Sequence, residues 1–140
     1  MAHGALGIFT NTQGDQYKGS WKFDKKHGQG VETWRKSNSK YEGSYVEGER
    51  EGYGVYSINS QVVYAGQWLR GEMHGQGRLQ IDHSTAYTGD FSRGRIQGFG
   101  LMEYSDGKIY QGEFKNGLRE GYGVYHSSEG IYQGWWHKDK

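Results

Sequence analysis

The sequence predicts an all-β chain: a single-layer, elongated, twisted antiparallel sheet of consecutive β-hairpin repeats. Three observations predict it. A Tyr-x-Gly-x-aromatic phrase recurs six times at a spacing of about 23 residues. A Gly-x-Gly pair follows the first five of these tyrosines eleven residues on. No segment has a helical period, and short alternating segments bounded by turn residues read as strands.

The phrase opens at Tyr17, Tyr41, Tyr64, Tyr87, Tyr110 and Tyr132, and closes at Trp21, Tyr45, Trp68, Phe91, Phe114 and Trp136. Counted from the tyrosine, positions 0, 2 and 4 fall on one face of a strand. Position 7 is Gly48, Gly71, Gly94 or Gly117, with Asp24 and Asp139 in the first and last copies. Gly and Asp accept the positive φ that a tight hairpin turn demands. The glycine pairs, from Gly28/Gly30 to Gly121/Gly123, then lead a second strand, and the reading continues both glycines on one face into positions 15 and 17. Stretches such as SDGK (105–108) and SSEG (127–130) join one hairpin to the next. The array reads as a half repeat at 4–16, full repeats at 17–40, 41–63, 64–86, 87–109 and 110–131, and a half repeat at 132–140. In the opening half repeat Ala5 stands for the first glycine of the pair and Gly7 for the second.

The mixture of rings and glycines has a steric reason. Neighbouring strands lie about 4.8 Å apart, too close for large rings to stand side by side. A glycine opposite or diagonal to a ring lets it lie flat over the next strand. Leu, Ile, Val and Phe number only 22 of the 140 residues, whereas aromatics number 12 Tyr, 5 Trp and 5 Phe. A core of rings therefore replaces an aliphatic one, and the formal charge of +1 argues against disorder. Positions 1 and 3 (Lys18 and Ser20, Glu42 and Ser44, Thr88 and Asp90) make the other face mostly polar.

Tyr-x-Gly-x-Trp/Phe, a turn bearing glycine, and Gly-x-Gly at this period resemble the MORN (membrane occupation and recognition nexus) repeat family over roughly residues 4–136. The resemblance implies a rod-like antiparallel sheet and a docking-scaffold role in cytoskeletal, ciliary or membrane-junction assemblies. It also allows a regulatory module of a larger enzyme, such as a SET methyltransferase or a phosphatidylinositol-phosphate kinase, and phospholipid binding has been proposed for the family.

Several classes are disfavoured. The chain has no cysteine, which removes thiolate metal sites and disulfides and favours a reducing compartment. No apolar run approaches the 18 or so residues of a helical span, so a soluble, cytoplasmic chain is expected. His27 and His74 hold equivalent positions two repeats apart, roughly 20 Å at the strand spacing, too far to share a metal. No nucleophile stands with a registered base, and no glycine loop leads into a helix. No catalytic residue, cofactor or metal is expected, and the balanced charge disfavours nucleic acid.

A protein-docking scaffold is the leading expectation, with an extended or helical partner segment along the aromatic and glycine groove. Candidate contact residues are Trp34, Tyr56, Met102, Tyr104 and Tyr125 in the second strands, and Met73, Ile96 and Leu118 as an apolar stripe at successive hairpin ends. The alternative is an anionic phospholipid surface. Residues 1–40 carry seven Lys/Arg against three acids, with Lys22, Lys25 and Lys26 at one rim and Arg35, Lys36 and Lys40 at the other. The unpaired edges of the first and last strands, the last bearing Trp135 and Trp136, predict a homodimer or end-to-end association.

Overall fold

The computed structural model describes residues 6–140; the first residues of the opening half repeat, Ala5 among them, lie outside them. The chain divides into two units, residues 1–72 and 73–140. In the first, β1 (Leu6–Thr10), β2 (Gln16–Lys22), β3 (Lys25–Trp34), β4 (Ser39–Val46), β5 (Glu49–Ile58) and β6 (Gln61–Leu69) pair in chain order, all antiparallel. In the second, β7 (Glu72–Gln80), β8 (Ala86–Ser92), β9 (Arg95–Glu103), β10 (Ile109–Lys115), β11 (Leu118–Ser127) and β12 (Gly130–Trp136) do the same. The fold is thus the predicted antiparallel array of hairpins. Its one helical element among the described residues is a 3-10 turn at Ser105–Gly107, inside a predicted connection.

Every hairpin turn takes two residues of positive φ, as in Glu47 (49°) and Gly48 (88°) or Asn116 (51°) and Gly117 (80°). That is the type I′ geometry, whose twist matches the strands it joins. Asp24 (61°) adopts it without glycine, and even Phe23 (50°) is held there.

The second strand departs from simple alternation. The step from Gly43 to Tyr45 on β4 is matched by Gly54 to Arg50 on β5, so β5 carries two extra residues in a bulge. The same shift occurs between Gly19 and Trp21 and between Gly112 and Phe114. At the bulge the first glycine of the pair has positive φ, 105° at Gly98, and a side chain there would run into Asp90 on the polar face. Only the second glycine lies under the rings. The expectation that both glycines share the ring face is corrected accordingly: the bulge turns one of them away.

The core of each unit is built from the phrase itself. Tyr17, Tyr41, Tyr64, Tyr87 and Tyr110 are the most deeply buried large side chains, joined by Trp21, Tyr45, Trp68, Phe91 and Phe114. The ring of Tyr41 covers Gly54 so closely that an added Cβ would overlap its Oη, Cε1 and Cζ. Tyr110 covers Gly123 in the same way. Tyr17 over Gly30 and Tyr87 over Gly100 repeat the arrangement, so the opening tyrosines lie on bare backbone of the adjoining strand as the spacing predicts, whereas the closing aromatics stand edge-on to them.

Candidate functional site

The ring face is a zigzag ladder. In residues 1–72, Tyr17 meets Trp21 and Tyr45 edge-on, with ring centroids 5.0 and 5.2 Å away, and Tyr41 meets Tyr45 and Trp68 at 5.2 and 5.4 Å. In residues 73–140, Tyr87 stands between Phe91 and Phe114, and Tyr110 between Phe114 and Trp136. Interplanar angles of 78–88° set the positive edge of one ring against the negative face of the next. Each tyrosine hydroxyl then donates to the carbonyl three residues on, Tyr41 to Ser44 (2.9 Å) and Tyr110 to Glu113 (3.0 Å). A buried phenol thereby keeps its hydrogen bond.

Burial also sets the acidity of these phenols. Tyr17, Tyr41, Tyr64 and Tyr110 are pushed up to about 12 by loss of solvent, against an ordinary value of 10.0. Tyr45 is raised as well, by burial first and then by donating to Glu32. The native state thus holds protons that the unfolded chain releases above its ordinary value. Stability is untouched below pH 10 and falls between about pH 10 and 12. Alkaline titration should show strand circular dichroism lost together with a steep, cooperative rise in tyrosinate absorbance. Gradual ionisation with the sheet intact would contradict the ladder.

Position 9, across from the closing aromatic, caps the ladder. Lys26 lies over Tyr17 and Tyr45 at 5.4 and 5.8 Å, and Arg50 over Trp68 and Tyr41 at 4.8 and 5.6 Å. Arg119 is ringed by Trp136, Tyr125, Tyr110 and Tyr104 at 4.4 to 5.9 Å, and pairs with Asp139 at 3.1 Å. Cations over ring faces add to the packing. Sequence reasoning missed this column because a lysine or arginine next to a turn looks like an ordinary solvated residue.

Beside the ladder the ring face carries a second tier of rings. Trp34 and Tyr56, both partly exposed, meet with centroids 6.3 Å apart, and so do Tyr104 and Tyr125 in the other unit. Four of the expected contact residues are therefore brought together in two pairs. Met102 is buried. The apolar stripe needs correction. Met73 and Ile96 share position 9, but Arg119 takes it in the next repeat, while Leu118 stands one residue earlier and pairs with Lys115. Ile96 is buried opposite Phe91, so it offers little to a partner.

The basic set is divided. Lys26 is engaged by Glu32 at 2.9 Å, half-buried, and Glu32 also accepts the Tyr45 hydroxyl at 2.7 Å. Lys40 is 3.7 Å from Glu42. Lys22 and Lys25 pair across the β2–β3 turn, away from Arg35 and Lys36 beyond the far end of β3. The N–H of Glu47 donates to His27 Nδ1, giving that histidine a local structural role. Among the described residues no group of three or more His, Asp or Glu is placed to hold a metal ion. No helix among them is long and apolar enough to cross a membrane.

On the last strand, Trp136 lies against Tyr110 and Arg119, whereas Trp135 points to the opposite face. That opposite face was read as mostly polar, and at positions 1 and 3 of the first five repeats it is, with Ala65 the apolar exception. The next strand, however, places Tyr53, Phe99 and Tyr122 there, all exposed. They sit between the two glycines of the pair, where the motif leaves the residue free and a repeat pattern gives no signal.

Registered hairpins whose tyrosines lie on glycine floors define a repeat architecture in which each unit offers side-chain surfaces on both faces of its strands. The MORN repeat model matches residues 17–39, 41–61, 64–81, 87–109 and 110–131, and the chain belongs to the MORN repeat family. It is similar to MORN repeat-containing protein 3 of Xenopus laevis, with 42% identity over 48 residues. The match takes in 34% of this chain and 20% of that relative, so the chain covers about a fifth of its length.

Proposed function

We propose that the chain is a non-catalytic docking module that receives a protein segment on its ring face. One observation carries this reading: the Trp34–Tyr56 and Tyr104–Tyr125 pairs leave aromatic surface partly exposed beside a buried ladder. The ladder tyrosines are buried, whereas these pairs keep accessible ring surface that a partner can cover. Tyr and Trp are favoured at such contacts because they bury a large area with few rotatable bonds. Membership of a repeat family common in binding roles supports the same reading, as does the cytoskeletal or membrane-junction setting implied by the resemblance. Anionic phospholipid is the weaker alternative, since Lys26 and Lys40 already have carboxylate neighbours.

A photo-crosslinking amino acid at Trp34 or Tyr104 in cell extract should capture a protein, and Tyr56→Ala or Tyr125→Ala should reduce capture about tenfold while the far-ultraviolet spectrum is kept. Sedimentation of the chain with acidic vesicles, with no protein captured, would reverse the preference.

A further inference from the structure

Phe99, Tyr122 and Trp135 form a row on the face of residues 73–140 opposite the ladder, because the adjoining Gly100, Gly123 and Trp136 are turned toward the ladder. They are 63%, 43% and 73% exposed. The hairpin does not require rings there: the corresponding residues are Gln29 and Gln76 in other repeats, and Gln133 and Gln111 hold the neighbouring row. Tyr122 and Trp135 are direct cross-strand partners, with centroids 5.5 Å apart at 81°. Phe99 lies two strands from Tyr122, on the order of 9.6 Å away at the usual strand spacing. Glu113 stands between them as the cross-strand partner of Phe99, and its Oε2 accepts the N–H of Tyr122. Asp90 accepts the N–H of Phe99 in the same manner. Among the described residues neither carboxylate has an ion-pair partner.

The spacing selects an occupant. A polyproline II helix repeats every three residues, about 9.3 Å per turn, and presents the same edge at each turn. Same-side residues of an extended strand recur at about 6.7 Å, and an α-helix turn is about 5.4 Å; neither matches the two-strand step from Phe99 to the Tyr122–Trp135 pair. We propose that this face binds a proline-rich segment in the polyproline II conformation, lying across β9 to β12. Its prolines rest on Phe99 and on the Tyr122–Trp135 pair one turn apart, and a flanking lysine or arginine meets Glu113 or Asp90. Aromatic rows are suited to such ligands, which arrive already ordered and need no sheet edge.

The test titrates the full chain against fluorescent decaproline ended by arginines, decaproline ended by glutamates, and a Gly/Ser peptide ended by arginines. Arginine-ended decaproline should bind saturably and at least about tenfold more tightly than the Gly/Ser peptide. Phe99→Gln, which installs the residue other repeats carry, and Trp135→Gln should each weaken it about tenfold. Glu113→Gln should shrink the preference for arginine over glutamate ends by about threefold. Equal binding of the Gly/Ser peptide, or full affinity in folded Phe99→Gln and Trp135→Gln variants, would overturn the proposal. So would loss of binding in Trp34→Ala, since that variant alters only the ring face.

Discussion

Replacing Gly54 by alanine is expected to destabilise the protein by about 3 kcal/mol or more, an unusually large effect for one methyl group. The added Cβ would occupy the volume of the Tyr41 ring, which cannot retreat. Tyr45 and Trp68 wall it in, and its hydroxyl is tied to the Ser44 carbonyl. Two other glycines of the same repeat serve as internal controls. At Gly48 nothing lies within 4 Å, so alanine meets only the cost of its 88° φ, about 1 kcal/mol. At Gly52 (87°) the Ser44 Cβ is 3.3 Å away, adding mild crowding to a cost again of about 1 kcal/mol. Urea unfolding of the three variants should therefore place Gly54→Ala far below the other two. Equal losses would mean that backbone strain, and not the ring, makes the glycine necessary.

The second large effect is the removal of a ladder ring. Tyr41→Ala should cost about 4 kcal/mol, in the range for buried aromatic truncations. It deletes a fully buried ring, two edge-on partners, the Arg50 contact and a hydrogen bond. Tyr132→Ala should cost only about 1 kcal/mol. Its ring makes the same contact with the closing aromatic, Trp136 at 5.2 Å, yet remains 50% exposed. Repeat arrays are stabilised mainly through neighbouring units, so hydrogen exchange should show Tyr41→Ala loosening β3 to β6 together, with Tyr132→Ala confined to β11 and β12. A uniform loss across both units from either variant would contradict nearest-neighbour coupling.

The residues themselves explain what could be read in advance. The tyrosines, the second glycine of each pair and the turn glycines obey steric rules that act within one repeat, so their recurrence in six, five and four copies made them visible. Gly28 and its equivalents were visible too, but their direction was not. Alternation assumes one residue per step, and the bulge inserts two, so the first glycine leaves the ring face. Lys26, Arg50 and Arg119 were hidden for another reason: a cation gains its place only when rings from the next hairpin arrive, which no single repeat spells out. Phe99 and Tyr122 vary with Gln between repeats, and a search for what recurs passes over them. Trp34, Tyr56, Tyr104 and Tyr125 could be named singly as second-strand candidates, but their meeting as Trp34 with Tyr56 and Tyr104 with Tyr125 depends on strand register across hairpins.

The hairpin tips carry one further feature. The N–H of Gly48 donates to the Lys26 carbonyl and that of Gly71 to Arg50; in the other unit Gly94 donates to Met73 and Gly117 to Ile96. Each of these tips thus hooks onto the hairpin made before it, while Tyr17, Tyr41, Tyr87 and Tyr110 find a second wall only in the hairpin made after them. During synthesis the chain therefore has a built-in direction. A newly emerged hairpin can latch at once onto the finished end, but its own aromatic core stays open until its successor leaves the ribosome, so assembly runs one repeat behind translation.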